Sequence, residues 1–315
     1  MNAIQTLLQT CAGIKEGERL LLITDPSTKK VGQLISAEAS KTAQAQCICI
    51  DALEVHGQEP SPEAAALMLE NDVVFGLTKK SLAHTQARFN FSQQGGRYLS
   101  LPDYSLELLE HKSLCFDFGS LANESQKIAD ALDQGSYVSI KTPLGTDFTC
   151  SLKGRAATAC PGTALAKGEL ASPPDAETNI APIEHESRGV IVVDASIPCD
   201  ELGVLKSPIT LTVTDGAIVD IKGEQAEILE NLLATKGNAK SRILGELGIG
   251  LNPEAEICGI MLVDEGCRGT VHFGFGSNST IGGTNAAPTH IDMIVTNPTV
   301  TVDGKNIILD GQITI

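Results

Sequence analysis

RLLLIT, at residues 19–24, is a short apolar run that ends at Asp25 and Pro26. An apolar run of this length followed by turn-forming residues predicts a strand. Residues 29–42 follow with a helix-like pattern, and residues 45–50 form a second strand-like run. A strand, a helix and a strand in this order predict the first unit of a doubly wound parallel sheet.

The same alternation continues as far as residue 135. Residues 61–71 predict a helix that opens with Ser61, Pro62 and Glu63, a typical start sequence. The remaining segments alternate in the same way, with strands at 72–77 and 97–101 and helices at 81–91, 105–111 and 120–132. We therefore predict a doubly wound α/β domain over residues 1–135.

After residue 135 the pattern changes to paired strands. Asp215-Gly216 and Asp303-Gly304 each separate two alternating runs, and Asp-Gly at such a position is a strong hairpin signal. The predicted strand pairs are 137–142 with 147–152, 209–213 with 217–221, and 299–302 with 306–309. The sequence thus predicts an antiparallel β-rich domain over residues 136–315, with a helix at 224–234 and a loop at 156–174.

The composition narrows the possible functions. The net charge of −16 argues against nucleic acid and anionic membranes as partners, and the low aromatic content of 3% argues against base stacking. Nine scattered cysteines without a Cys-x-x-Cys pair argue against a zinc ribbon or a disulfide scaffold. No leader opens the chain and no apolar run approaches the length of a membrane span, so we expect a cytoplasmic protein.

The clearest chemical signal is a His-x-Asp pair, His290 and Asp292. Residues i and i+2 of a strand point to the same face, so the imidazole and the carboxylate would lie side by side, as metal ligands often do. Three further segments place one potential ligand each among small or apolar residues, where an unpaired charge is costly: Glu177, Glu246 and His272. The alternatives are a solvated helix-end carboxylate for Glu246 and a structural strand histidine for His272.

Together the five side chains supply three carboxylates and two imidazoles, a mixed set that suits zinc, manganese, cobalt or iron(II) better than calcium or magnesium. Five ligands are many for one catalytic metal that keeps an open position. They fit two divalent ions roughly 3.5–4 Å apart, which would activate a bridging water for hydrolysis. We predict that the other acids and histidines near them are ordinary surface groups. Asp175 would be a solvated loop acid, Asp264 and Glu265 would form a charged turn, and His185 would belong to a surface cluster.

Four motifs in the second half of the chain resemble the M29 family of metallopeptidases, the thermophilic aminopeptidase T group. They lie at residues 176–182, 245–250, 269–276 and 290–292, and residues 15–19 are similar as well. The resemblance implies an intracellular homodimer that removes N-terminal residues from peptides. It also implies a dinuclear metal centre in which Glu246 is the bridging, catalytic carboxylate and the ligands are Glu177, Glu246, His272, His290 and Asp292.

The chain departs from that family at one catalytic position. Where the family has a Tyr seven residues after the motif histidine, this chain has Ser279. We predict that Ser279 replaces it in a metallo-aminopeptidase-like hydrolase that acts on small peptides or amino-acid-derived substrates. A sister branch, the 2,5-dihydroxypyridine dioxygenases, resembles this architecture with one iron(II) but has other ligand types in place of Glu246 and His272. It is the alternative function, together with a family member that binds a metal or small ligand without catalysis.

Overall fold

The fold is that of a computed structural model, which describes residues 2–315. Within this range the strands are β1 (Arg19–Thr24), β2 (Gln44–Cys49), β3 (Val73–Leu77), β4 (Arg97–Ser100), β5 (Tyr137–Lys141), β6 (Asp147–Ser151), β7 (Thr158–Cys160), β8 (Leu170–Ala171), β9 (Glu177–Ile180), β10 (Ser187–Val193), β11 (Ser196–Ile197), β12 (Gly203–Val204), β13 (Ile209–Thr214), β14 (Ala217–Lys222), β15 (Leu244–Gly250), β16 (Thr270–Gly276), β17 (His290–Thr296), β18 (Thr299–Val302), β19 (Lys305–Leu309) and β20 (Gln312–Ile313).

The α-helices of the same residues are α1 (Ala3–Gln5), α2 (Lys29–Ala39), α3 (Pro62–Leu69), α4 (Gln86–Gln93), α5 (Leu106–Glu110), α6 (Ala122–Gln134), α7 (Ala226–Thr235) and α8 (Met261–Asp264). A π-helical turn lies at Thr6–Cys11, and 3₁₀ turns lie at Lys112–Leu114, Phe118–Leu121 and Ala239–Arg242. Among residues 2–315 there is no helix with both the length and the apolar character needed to cross a membrane.

The first compact unit contains the chain up to Ser120 and the segment Gly162–Pro174. Its sheet has the strand order β2-β1-β3-β4-β8, and its paired strands are parallel. Residues 20–23 of β1 are fully buried, as expected for an inner strand that is covered on both faces. Since β1 lies between β2 and β3, the chain winds away from β1 in both directions, which is the doubly wound arrangement that the sequence predicts.

Helix starts in this unit follow the capping residues. The side chain of Ser61 accepts a hydrogen bond from the N–H of Ala64, and Pro62 occupies the first turn, which confirms the predicted start of α3. The predicted start of α4 at residue 81 is wrong. Thr85 caps this helix instead, because its Oγ1 accepts a hydrogen bond from the N–H of Arg88 at 3.1 Å.

The second compact unit contains Leu121–Pro161 and Asp175–Ile315. It has an eight-stranded sheet of order β14-β13-β10-β6-β5-β18-β19-β20 and a seven-stranded sheet of order β12-β11-β17-β16-β15-β9-β7. Asp215, Gly216, Asp303 and Gly304 all have positive φ, which tight hairpin turns require, so the predicted Asp-Gly turns are confirmed. The predicted fold class, a doubly wound α/β sheet followed by antiparallel β structure, is confirmed as well.

Two segments differ in detail from the sequence-based expectation. Residues 156–174, predicted to form a loop, contain β7, which pairs with β9, and β8, which pairs with β4. Both strands are too short to show an alternating pattern, since they have three and two residues. Helix α6 lies in the second compact unit, whereas the predicted α/β domain of residues 1–135 includes it. The boundary between residues 135 and 136 remains a prediction about domain organisation.

Candidate metal centre

The two faces of the seven-stranded sheet have different characters. On β16, Val271, Phe273 and Phe275 point to an apolar face, where the ring of Phe273 contacts Phe148 of β6 edge-on with 5.2 Å between the centroids. His272 points to the opposite face, because side chains alternate along a strand. The strand register places several polar residues of the neighbouring strands on this second face, namely Glu177, Asn179, Glu246, His290 and Asp292.

The structure brings all five predicted ligands together on that face. Two groups of three have ligand atoms within 4.8 Å of one another: Glu177 with Glu246 and His272, and Glu246 with His290 and Asp292. The Nε2 atom of His272 lies 3.0 Å from Glu177 Oε2. The Nε2 atom of His290 lies 2.9 Å from Glu246 Oε2 and 3.2 Å from Asp292 Oδ1. Glu246 belongs to both groups, so it is the shared carboxylate of the cluster.

Both imidazole rings lie across glycine residues of the adjacent strand. A Cβ atom on Gly248 would be 1.9 Å from Nε2 of His272, and a Cβ atom on Gly274 would be 2.5 Å from Nε2 of His290. Any side chain at either position would therefore displace a ring. Glycine weakens a strand interior and often marks a close approach of another group, so the repeated glycines of β15 and β16 were a sequence signal for this arrangement.

The orientation of His290 is fixed by a backbone carbonyl. Its Nδ1 atom lies 2.8 Å from the oxygen of Ser277, which can only accept a hydrogen bond. Nδ1 therefore carries a proton and donates it to this oxygen, and Nε2 faces the carboxylates of Glu246 and Asp292. A histidine that donates from one nitrogen to a carbonyl and presents the other to acids has the usual geometry of a metal ligand.

The negative charge of the site changes the protonation of both histidines. Burial disfavours the charged ring of His272, but the nearby Glu177 carboxylate outweighs burial and raises its pKa to about 10. Burial also disfavours the charged ring of His290, but the Asp292 and Glu246 carboxylates outweigh it and raise the pKa of His290 well above its ordinary value. Without a cation, protons on these imidazoles would balance part of the acidic charge. A divalent ion would replace those protons.

Two further acids lie at the same site: Asp175, which was predicted to be a solvated loop acid, and Glu265, which was predicted to lie in a charged turn. Asp175 is buried, and burial followed by the Glu177 charge raises its pKa well above the ordinary range. Burial also raises the pKa of Glu265, which hydrogen-bonds Asp292. The solvated interpretation is wrong because the backbones pack closely here: a Cβ atom on Gly266 would lie 2.8 Å from the amide nitrogen of Ala176.

The charged-turn interpretation of Asp264 is also wrong. Asp264 is fully buried at the end of α8, and its carboxylate accepts hydrogen bonds from Ser196 Oγ at 2.6 Å and from the N–H groups of Cys258 and Gly259 at 2.8 and 2.9 Å. These bonds fix the short helix immediately before Glu265. Asp264 is therefore a structural acid that holds the segment carrying Glu265.

A second hydrogen-bonded network holds the loop between β16 and β17. Glu184 is buried and accepts hydrogen bonds from Arg155 at 2.5 Å, from the N–H of Thr284 at 2.6 Å and from the side chain of Asn278 at 3.2 Å. Burial opposes the charge of Glu184, but these hydrogen bonds lower its pKa to about 2. The network anchors the loop that supplies the Ser277 carbonyl. Sequence reasoning found no signal for it.

The remaining predicted positions, His185 and Ser279, are exposed. His185 is exposed, which confirms its prediction as a surface residue. Ser279 occupies an exposed turn between β16 and β17. Its catalytic role stays a prediction.

The chemistry of the donors fits a divalent metal ion. Glu177 Oε2 is buried and lies within 3.0 Å of His272 Nε2, yet the two atoms are not aligned for a hydrogen bond, and Oε2 has no other partner among residues 2–315. Two metal-ligand atoms that lie close together without a hydrogen bond between them are expected where both point at the same ion. Imidazole nitrogens with carboxylate oxygens suit iron(II), zinc or manganese. These residues can therefore hold such a metal.

Comparison with known proteins relates this site to a family. The family model described as NicX, 2,5-dihydroxypyridine 5,6-dioxygenase, matches residues 1–315. The 2,5-dihydroxypyridine 5,6-dioxygenase of Pseudomonas putida is 25% identical over 193 residues, which cover 58% of this chain and 55% of that protein. The chain thus matches about half the length of this curated relative.

Two solved structures share the fold. A 2,5-dihydroxypyridine dioxygenase from Pseudomonas putida has a TM-score of 0.83 at 20% identity, covering 99% of this chain and 96% of that one. Wild-type AmpT from Thermus thermophilus has a TM-score of 0.73 at 15% identity, covering 99% and 98%. At these identities the likeness concerns the fold alone.

These findings correct the functional prediction. The aminopeptidase function is wrong, and the hydrolase and metalloprotease assignments are wrong with it, because the family that matches the whole chain is named for a dioxygenase. The part of the M29 resemblance that is confirmed is the fold shared with AmpT. The alternative, a ring-cleaving dioxygenase, is better supported than the main prediction.

Proposed function

The chain belongs to the NicX family of 2,5-dihydroxypyridine 5,6-dioxygenases, and we propose that it is a metal-dependent dioxygenase that opens a dihydroxypyridine-type ring. The observation that carries the proposal is the match of this family over residues 1–315. The cluster of imidazoles and carboxylates on one sheet face supports it, since a reaction with dioxygen at an aromatic ring requires a metal or another cofactor.

We assign the metal to the five side chains that face one another on this sheet. His272, His290 and Asp292 offer two imidazoles and a carboxylate, the donor set that non-haem iron(II) oxygenases use, and Glu177 and Glu246 add carboxylate oxygens. Iron(II), when bound, supplies the centre at which dioxygen and the ring react. One ion per chain satisfies this chemistry, and metal analysis of the purified protein distinguishes it from the pair of ions predicted above.

The chain's own groups hold the donors in place and can receive the ring. The Ser277 carbonyl orients His290, and Gly248 and Gly274 make room for both imidazoles. The site also contains more carboxylates than one metal ion needs, because Asp175 and Glu265 lie beside the ligands. Carboxylate oxygens that do not bind metal can accept hydrogen bonds from ring hydroxyl groups.

Oxygen uptake tests this function directly. The protein is purified, reconstituted with iron(II) under nitrogen, and mixed with 2,5-dihydroxypyridine and air. We expect oxygen consumption equimolar with the loss of the ring's ultraviolet absorbance, because a dioxygenase inserts both oxygen atoms. Metal-free protein and the His290→Ala variant should consume no oxygen. Folded, iron-loaded wild type that neither consumes oxygen nor depletes the ring would contradict the proposal.

We also propose that the chain forms a homodimer. The resemblance to M29 enzymes supports this proposal, which concerns assembly rather than chemistry. Light scattering at micromolar concentration measures the mass directly, and a dimer should have twice the chain mass of 33.1 kDa. A single species at the chain mass would contradict it.

A further inference from the structure

Asn179 lies on the same sheet face as the metal ligands but is not one of them. It follows Glu177 by two residues on β9, so both side chains point to the same side. The register pairs Asn179 with Gly248 of β15, and Gly248 pairs with His272 of β16. Because Gly248 has no side chain and the ring of His272 lies across it, no side chain separates Asn179 from His272 in this row of the sheet.

The orientation of the Asn179 amide follows from its hydrogen bond. Its Nδ2 donates to Oε1 of Glu177 at 2.6 Å. An ionised carboxylate can only accept hydrogen bonds, so the nitrogen must face Glu177 and the oxygen must point away from it. The donor chemistry of the amide therefore determines the position of Oδ1.

The Oδ1 atom of Asn179 is a buried acceptor that lacks a donor. The side chain is only 7% exposed, and Oδ1 has no hydrogen-bond partner among residues 2–315. Buried polar groups are nearly always hydrogen-bonded, and an exception calls for a partner that the protein itself does not supply. The partner required here is a ligand that carries an N–H or O–H group next to the metal ligands.

We infer that Asn179 is a specificity-determining residue whose Oδ1 accepts a hydrogen bond from the ring N–H of the substrate. The inference rests on the proposed function, because a dihydroxypyridine in its lactam form carries an N–H group beside a carbonyl. An all-carbon ring with the same hydroxyl groups has a C–H at that position and leaves Oδ1 without a partner. Asn179 thus selects nitrogen-containing rings over their carbocyclic counterparts.

Equilibrium binding of two rings tests this role without turnover. Iron(II)-loaded protein is titrated under nitrogen with 2,5-dihydroxypyridine and, separately, with hydroquinone, which differs from it by a C–H in place of the ring nitrogen. A site built around a hydrogen bond discriminates strongly against a ligand that lacks the group, and for one bond we expect a preference of about 10- to 100-fold in Kd. In Asn179→Ala this preference should fall to about threefold or less, through weaker binding of the pyridine.

The same measurements distinguish recognition from a merely structural role. If Asn179 acts only by holding Glu177, the alanine variant will lose bound iron or will weaken both rings equally, and either result overturns the inference. The matched control is Thr178→Val, which changes the neighbouring residue on the opposite face, where Thr178 bonds Ser125. This variant should keep the wild-type preference.

Failure of the inference can also be separated from failure of the proposed function. Wild type that binds both rings with equal affinity overturns the role of Asn179 and leaves the dioxygenase proposal in place. Wild type that is loaded with iron and binds neither ring contradicts the proposed function, and the role of Asn179 falls with it. Bound iron is measured in every sample by elemental analysis.

Discussion

Asp25 in the first unit and the acids around Glu246 in the second unit are all buried, but their charges are stabilised in different ways. Asp25 follows β1, and both of its carboxylate oxygens accept hydrogen bonds. Oδ1 accepts from Ser27 and Thr28, and Oδ2 accepts from the N–H of Lys79 at 2.6 Å. Burial alone would raise the pKa of Asp25, yet these hydrogen bonds lower it. The protein itself satisfies this charge.

Three acids of the metal centre are satisfied less completely. One oxygen each of Asp175, Glu177 and Glu265 is buried without a hydrogen bond from any of residues 2–315. An unpaired buried charge is costly, so a fold retains it only where something else compensates it. Burial of an acid is thus a poor indicator of function. Burial without a hydrogen-bond donor is a better one, because it identifies the acids that need a cation or a ligand.

The largest expected effect comes from exchanging one acid of each kind. Glu246→Gln removes the shared carboxylate of both ligand groups, and we expect bound metal to fall below half of the wild-type value and ring turnover to fall at least ~100-fold. The metal-free variant should be less stable than wild type, because the His290 imidazole, whose Nε2 lies 2.9 Å from Glu246 Oε2, loses a charged partner. Elemental analysis, oxygen uptake and urea unfolding measure the three quantities.

Asp25→Asn is the counterpart of that variant. It should lower the free energy of unfolding by about 1–3 kcal/mol, because donors that now face a carboxylate would face an amide. Bound metal per folded chain should not change. If Asp25→Asn lost metal while Glu246→Gln kept it, the assignment of Glu246 to the metal centre and of Asp25 to a structural role would be invalid.

A smaller loss is expected when a ligand is displaced without being removed. In Gly248→Ala the added Cβ would lie 1.9 Å from His272 Nε2, so the ring must move. We expect metal affinity to fall about 10- to 100-fold, the usual range for changes that disturb ligand orientation. Gly119→Ala is the control, because its Cβ would meet only a side-chain oxygen of Asp117 at 3.2 Å. Unchanged metal affinity in Gly248→Ala would show that His272 is not a ligand.

Glu184, whose carboxylate is hydrogen-bonded in the second unit, should make the free energy of unfolding depend on pH. Folding lowers the pKa of Glu184 from 4.5 to about 2. Its ionised carboxylate therefore contributes fully to the free energy of unfolding above pH 4.5, and this contribution is lost as the pH falls towards 2. The difference in unfolding free energy between wild type and Glu184→Gln should be about 3 kcal/mol at neutral pH and should vanish near pH 2.

Metal-free protein is used for that titration, so that loss of an ion does not add to the effect. Glu186→Gln alters an exposed acid two residues away and should follow the wild-type curve. A difference between wild type and Glu184→Gln that is independent of pH would mean that Glu184 acts through its shape and not through its charge.

The contrast between the two kinds of acid also shows what the sequence could predict. Strand periodicity and the His-x-Asp spacing were enough to place His290 and Asp292 on one face, because both depend on residues close together in the chain. The networks of satisfied acids depend on distant residues. Glu184 is paired with Arg155, 29 residues away, and with Asn278, 94 residues away, so no local pattern marks it as buried.

The function was harder to predict than the fold for a related reason. The same ligand types serve hydrolysis and oxygen chemistry, and the donor set does not by itself distinguish them. Asp175 and Glu265 were missed because a Pro-rich segment and a pair of adjacent acids are typical of exposed turns, and the close backbone contact at Gly266 that brings the two segments together has no local sequence pattern. Whole-chain similarity to the dioxygenase family is what favours oxygen chemistry over hydrolysis.

The smallest effect is expected at Ser279, which was predicted to replace a catalytic Tyr. That prediction assumed peptidase chemistry, and the side chain lies in an exposed turn. Surface substitutions of this kind usually change stability by less than about 0.5 kcal/mol, and we expect Ser279→Ala to keep oxygen uptake within about twofold of wild type. Asn278→Ala, one residue away, is the matched comparison, because Asn278 is fully buried and holds the loop through Glu184 and Asn285. If Ser279→Ala lost more activity than Asn278→Ala, the exposed turn would have to approach the substrate during the reaction, and Ser279 would regain a catalytic role.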